Sequence, residues 1–127
     1  MDSMSKHGEF REDLLTPKEV PDWFTYPHSF IRIVDSGLAV FKPWRILKQP
    51  HISSRMRGLR ERFPDRGLIP FALRMDCDDV ACWEQGEMPR VVIVHDLASP
   101  GWERRKGFDD VAQWLRAAID DFLEFDD

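Results

Sequence analysis

The stretch LIPFALRMDCDDVACWEQGEMPRVVIVHD, residues 68–96, decides the fold of this chain. Three apolar runs occupy 68–75, 80–84 and 90–96, and the segments DCDD and QGEMP between them are rich in turn-forming residues. Short runs separated by turns of this length are typical of consecutive antiparallel strands. The runs are apolar at most positions and not only at alternate ones, which indicates that both faces of the sheet are covered. We therefore predict an α+β fold, with an antiparallel β-meander sheet flanked by helices in a single domain.

Two helices are predicted before these strands. Pro27 suits the first turn of a helix and Gly37 suits a left-handed C-terminal cap, so a short helix is expected over 27–35. From Ile52, apolar residues recur at helical spacing, which predicts a second helix over 52–63. The segment LAVFKPWRIL between them is expected to form an edge strand that a proline interrupts, followed by one turn of helix.

The C-terminal segment is predicted to form a third helix that covers the sheet. Its apolar stripe consists of Phe108, Val111, Ala112, Leu115, Ile119, Phe122 and Leu123. Its opposite, acidic face consists of Asp109, Asp110, Asp120, Asp121 and Glu124. The first two of these aspartates are expected in the first turn, where the helix dipole favours negative charge.

Length and composition place the chain among soluble single-domain proteins. Its 127 residues suffice for one core, and 43% hydrophobic residues exclude a disordered chain. We predict a flexible N-terminus over 1–13 and one domain over 14–127. No apolar run is long enough for a membrane span, and no secretion signal begins the sequence. Two isolated cysteines, Cys77 and Cys82, suit a reducing compartment, so a cytoplasmic location is expected.

Charge is distributed unevenly along the chain, whose net charge is −5. Residues 42–74 carry 9 basic and 2 acidic side chains, whereas 75–127 carry 5 basic and 14 acidic ones. Such segregation either steers a charged partner or means that one part of the fold neutralises the other. The basic segment also raises a nucleic-acid-binding hypothesis. Its arginines lie on both sides of the apolar stripe of the helix over 52–63, which favours arginine stems packed on the protein with solvated heads instead.

The aspartates of the first turn, Asp76, Asp78 and Asp79, resemble a divalent-metal loop at first sight. The residues that follow fail the EF-hand pattern, because Val80 stands where an oxygen ligand belongs and Ala81 where glycine is needed. The two cysteines match no standard zinc spacing either. No metal and no cofactor is therefore expected.

The sequence contains no recognisable catalytic signature. Its four histidines are scattered, and no nucleophile elbow, zinc-protease motif or phosphate-binding loop accompanies them. His95 and Asp96 are adjacent, but neighbours in a strand point to opposite faces and would not act together on one atom. We expect no enzymatic activity, with a small metal-dependent enzyme built on the Asp, Cys and His residues of the meander as the alternative.

Two features favour a protein-binding surface. The Pro-Gly turn at 100–101 presents Trp102 beside Arg104 and Arg105, residue types that dominate binding hot spots, although Trp102 packing over the sheet edge is an equal alternative. Acidic residues would attract a basic partner. The candidate contacts are Asp76, Asp78, Asp79, Trp102, Arg104, Arg105, Asp120, Asp121 and Glu124.

The order of these segments resembles the SUKH superfamily, which groups fungal cell-wall synthesis regulators with bacterial immunity proteins of polymorphic toxin systems. The similarity runs from about Tyr26 to Phe122. It is carried by the helix from Pro27 to Gly37, the run Leu68, Ile69, Pro70, Phe71, Ala72, the turn Asp76–Asp79 leading into Val80 and Cys82, and the final Phe108, Trp114 and Leu115.

The resemblance implies an α+β fold, no catalytic activity and use as a protein-binding scaffold. Bacterial members resemble antidotes that neutralise a toxin, often a nuclease, by direct binding. We therefore expect a cognate protein toxin as the partner and no membrane, and we disfavour nucleic acid.

Overall fold

A computed structural model describes residues 12–98, 101 and 103–126, except for the side chains of 104 and 105. Most of the predicted flexible N-terminus, residues 1–11, lies outside this range. The described elements, in chain order, are α1 (His28–Asp35), β1 (Val40–Phe41), β2 (Trp44–Ile46), α2 (His51–Arg62), β3 (Leu68–Arg74), β4 (Asp79–Glu84), β5 (Val91–His95), β6 (Arg104–Phe108) and α3 (Val111–Glu124).

The six strands form one open sheet in which every strand pairs antiparallel with its neighbour in sequence. The register places Ile69 opposite Trp83 and Ala81 opposite Ile93, with a bulge near Pro70. The prediction of an α+β fold with an antiparallel meander is confirmed. The three strands predicted from the central stretch are β3, β4 and β5.

Helices cover both faces of this sheet, as the continuous apolar runs predicted. Along β4, Ala81 and Trp83 belong to the larger apolar cluster, which includes buried residues of α1 and α3. Val80 and Cys82, on the opposite face, belong to a second cluster with Leu59 of α2. Because both faces are covered, the four central residues of β4, Val80 to Trp83, are all buried. Its pattern is therefore continuously apolar there and not alternating.

Aromatic rings fill the larger cluster. The fully buried Trp83 packs against Phe71 at a centroid separation of 4.3 Å and against Phe30 of α1 at 5.1 Å. Trp114 of α3 meets Phe71 at 5.0 Å and Trp44 of β2 at 5.4 Å. These edge-on and tilted contacts hold α1 and α3 against the same face of the sheet.

The first two helices agree with their predictions to within one residue at each end. Pro27 is the N-cap of α1, and Gly37 adopts φ +86° just beyond its end, a conformation that glycine favours. The helix predicted from Ile52 is α2. Leu14 and Leu15 are buried in the larger cluster, so the chain before α1 contributes to the core.

The third helix begins later than expected. Asp110 is its N-cap, and the carboxylate accepts a hydrogen bond from the backbone N–H of Gln113 at 2.9 Å, so Asp109 and Asp110 precede the first turn instead of lying in it. The buried residues of α3 are Val111, Trp114 and Ala118. The predicted stripe was therefore wrong at its C-terminal end, because Phe122 and Leu123 are exposed.

Two other segments differ from expectation. The residues after Pro43 form β2 rather than a turn of helix, since their backbone pairs with both β1 and β3. The segment RRKGF forms β6, a strand that the sequence did not predict, paired with β5. Among the described residues no helix has the length and apolar character needed to span a membrane.

Candidate protein-docking surface

Three connections meet at one end of the sheet, which we name the turn end. It comprises the β1–β2 turn at 42–43, the β3–β4 turn at 75–78 and the chain that follows His95. Backbone hydrogen bonds join them: Met75 N–H donates to the Pro43 carbonyl at 2.6 Å, and Asp96 N–H donates to the Asp78 carbonyl at 2.9 Å. The antiparallel meander therefore gathers segments that are far apart in sequence.

The last turns of α3 reach the same end. The Asp121 carboxylate accepts hydrogen bonds from the Trp44 indole N–H at 3.0 Å and from the Arg74 guanidinium at 3.2 Å. Arg74 also forms an ion pair with Asp76 at 2.8 Å and lies over the Trp44 ring. Two of the predicted contact residues, Asp76 and Asp121, are thus brought together by one arginine.

This arginine sets the charge state of its partner in the turn. A hydrogen bond from Arg74 is the main reason that the pKa of Asp76 lies below its usual value. Arg74 also neutralises part of the negative charge that the sequence had assigned to docking. The predicted residues Asp76 and Asp121 therefore stabilise the turn end as well as facing solvent.

The other predicted acidic residues divide into exposed and paired ones. Asp78 in the turn and Asp120 and Glu124 on the outer face of α3 are exposed. Asp79 is half-buried and contacts His95 Nδ1 at 3.0 Å across the strand pair. Free negative charge at this end therefore comes mainly from the exposed three.

The predicted hot-spot turn is only partly described. Trp102 and the side chains of Arg104 and Arg105 lie outside the described residues. The backbone of both arginines belongs to β6, which starts at the turn end. Glu103, which directly precedes Arg104, is buried and accepts hydrogen bonds from the backbone N–H of Gly101 at 2.6 Å and from the Arg66 guanidinium at 2.9 Å.

Exposed apolar residues gather at the turn end, a feature that sequence reasoning missed. The large hydrophobic side chains exposed among the described residues are Val40, Met75, Leu97, Phe122 and Leu123. Met75 lies in the β3–β4 turn and Leu97 follows β5, whereas Phe122 and Leu123 follow Asp121 in α3. Val40 is one residue from the β1–β2 turn. Exposed apolar residues concentrated beside charged ones are typical of protein-binding surfaces.

The basic segment 42–74 is partly neutralised within the fold. Four of its arginines pair with carboxylates from 75–127. These pairs are Arg55–Asp96, Arg62–Asp96, Arg66–Glu84, Arg66–Glu103, Arg74–Asp76 and Arg74–Asp121. The basic and acidic parts of the sequence are thus connected by ion pairs between the sheet and the helices that cover it.

Asp96 is the most buried of these partners. Its carboxylate is 0% exposed and accepts hydrogen bonds from Arg55 at 2.8 Å and Arg62 at 2.7 Å. The arginine heads were expected to be solvated; the Arg55 and Arg62 side chains are 34% and 37% exposed and in addition pair with Asp96. The contact joins residues 41 and 34 positions apart in sequence, so no local pattern signals it.

The Asp, Cys and His residues of the meander are dispersed over the sheet. Cys77 is exposed in the turn, whereas Cys82 is buried on the α2 face, and burial raises the pKa of both thiols. His95 pairs with Asp79, and its neighbour Asp96 points to the α2 arginines. Within 12–98, 101 and 103–126, no three His, Cys, Asp or Glu side chains are grouped as metal ligands.

No protein-family model, curated protein or solved structure matches the chain.

Proposed function

We propose that this chain is a non-catalytic binding protein that neutralises a cognate bacterial toxin. The toxin would have a basic surface, such as that of a nuclease, and the chain would act by covering this surface. The observation that carries the proposal is the coincidence of exposed apolar and acidic residues at the turn end. Met75, Leu97 and Phe122 provide apolar anchors, and Asp78 and Asp120 provide a charged rim. The resemblance to bacterial immunity proteins supports the same role.

The two kinds of residue would act on different steps of binding. Acidic side chains attract a basic partner over distances near the Debye length and raise the association rate. Apolar anchors exclude water in the complex and slow its dissociation. The proposal therefore predicts separable kinetic effects.

The test uses the product of the gene adjacent to the one for this chain, which the proposal expects to contain a toxin domain. Co-expression of the chain in a bacterial host should restore growth, and the purified proteins should associate faster as salt is lowered. Met75→Ala and Leu97→Ala should weaken binding about tenfold or more by faster dissociation. Asp120→Lys should mainly slow association.

Arg57→Ala is the matched control, because Arg57 is exposed on α2, away from the turn end. Absence of rescue, or anchor variants that behave like Arg57→Ala, would exclude the proposed surface and role. Substrate turnover by the purified chain that disappears in His95→Ala would favour the enzymatic alternative.

A further inference from the structure

A second feature lies on the α2 face of the sheet. Side chains of α2 and β2 line a pocket of about 290 Å³. Its polar lining is Arg45, His51, Ser54, Arg55 and Arg62. The four α2 residues follow one another at spacings of three, one and seven positions, so they lie along one side of the helix.

The charges around this pocket do not cancel. Three guanidinium groups line it, and none of its described lining residues is acidic. Asp96 lies behind two of these groups and compensates one positive charge. The pocket therefore keeps a net charge of about +2 in a chain whose overall charge is −5.

The arginines are held in place before any ligand arrives. Asp96 binds one nitrogen of Arg55 and one of Arg62, and each guanidinium has further N–H donors. Arg45 forms no ion pair within the described part of the chain, and its Nε is buried without a hydrogen-bond partner. Unused donors fixed by a buried carboxylate are preorganised for an anion.

Gly58 has a specific part in this arrangement. A Cβ at this position would lie 2.6 Å from a terminal nitrogen of Arg62. The missing side chain therefore allows the Arg62 head to lie across the helix, between Asp96 and the pocket. This explains a glycine in the middle of α2, where it lowers helix propensity.

We propose that this pocket binds a dianionic phosphate, either inorganic phosphate or the terminal group of a small phosphate monoester. Such a group carries about −1.5 to −2 charges near pH 7 and matches the charge of the pocket. Guanidinium groups bind phosphate oxygens through paired N–H donors, and Ser54 adds a hydroxyl. The phosphate proposal does not rest on toxin binding, although Asp96, which holds two arginines of the pocket, directly precedes the anchor Leu97.

The test compares ligands at matched ionic strength and pH. Inorganic phosphate and glycerol 3-phosphate should raise the melting temperature, and their ³¹P resonances should broaden on adding protein. Chloride should neither raise the melting temperature nor reverse the broadening of the phosphate resonances. A short oligonucleotide presents monoanionic diesters and should bind more weakly per phosphate. Equal effects of phosphate and chloride, or tighter binding of the diester, would overturn the proposal.

Variants connect the effect to the pocket. Arg45→Gln should weaken phosphate binding about tenfold or more, because it removes a charged donor. Ser54→Asp places a negative charge at an exposed position in the pocket and should abolish binding without disturbing the core. Arg57→Gln, outside the pocket on the same helix, should leave affinity unchanged. Retention of wild-type affinity by either pocket variant, with folding verified by circular dichroism, would refute the assignment.

Discussion

Replacing Asp96 by asparagine should destabilise the fold by about 2–4 kcal/mol. The carboxylate is fully buried and accepts two charge-assisted hydrogen bonds, from Arg55 and Arg62. Each such bond contributes about 1.5–3 kcal/mol, so both together give about 3–6 kcal/mol. The side chains of Arg55 and Arg62 are 34% and 37% exposed and would regain water when the charge is removed, which lowers the expected loss.

Urea unfolding followed by circular dichroism measures this loss directly. The midpoint should fall while the slope stays unchanged, because the native and unfolded surfaces remain nearly the same. Asp120→Asn is the control, since Asp120 is exposed on the outer face of α3, and it should shift stability by less than about 0.5 kcal/mol. If Asp96→Asn were as stable as this control, the buried ion pair would not stabilise the fold.

Three further predictions follow from contacts described above. Burial alone would raise the pKa of Glu103, but hydrogen bonds from backbone N–H groups and Arg66 outweigh burial and lower it, so the carboxylate stabilises the fold above its ordinary pKa of 4.5 and this stabilisation is lost as pH falls through the folded pKa. Glu103→Gln should therefore be less stable than the wild type at pH 7 and approach it in unfolding experiments at acid pH. A stability difference that does not depend on pH would contradict this. Burial raises the pKa of Tyr26, the single tyrosine, to about 12, so absorbance titration of the folded protein should show phenolate forming well above pH 10, whereas a midpoint near 10 would mean that its hydroxyl is solvated. Gly58→Ala should stabilise an Arg62→Ala variant by about 1 kcal/mol but the wild type by clearly less, because in the wild type the new Cβ must displace the Arg62 guanidinium. Equal effects in a double-mutant cycle would show that Gly58 does not make room for Arg62.

The central strands were predictable because a strand buried on both faces has a continuous apolar sequence. β3, β4 and β5 are apolar runs bounded by turn-forming residues, and α1 and α2 carry their own start and stop residues. β6 has no such apolar run, since its sequence RRKGF is mostly charged and only its pairing with β5 makes it a strand. β2 was mistaken for helix because Pro43 allows either continuation.

The end of α3 shows why an apolar pattern alone does not define the core. Phe122 and Leu123 continue the apolar stripe at helical spacing, but Leu123 is 71% exposed, whereas Trp114 and Ala118 are buried. Which apolar residues remain exposed depends on where the sheet ends beneath the helix, which is information about tertiary structure. The turn end was therefore only half predicted: the acidic residues were named as contacts, whereas Phe122 and Leu123 were assigned to the apolar stripe and Leu97 was not singled out.

Ion pairs and hydrogen bonds between residues far apart in the sequence were not predictable either. The sequence predicted that His95 and Asp96 point to opposite faces of the sheet, and the two do have different partners, but it did not predict which partners these are. The sequence indicated that opposite charges lay in different halves of the chain. Which arginine met which carboxylate required the strand order and the position of α2.

The sequential strand order also bears on how the chain acquires its structure. Because each strand pairs with the strand before it in the chain, the sheet can be extended one strand at a time during synthesis, with α2 inserted between β2 and β3. Trp114, however, arrives last and completes the aromatic core only after the whole sheet has emerged from the ribosome. A truncation before α3 would leave the apolar face of the sheet that Trp114 covers open to solvent, and we expect such a fragment to aggregate.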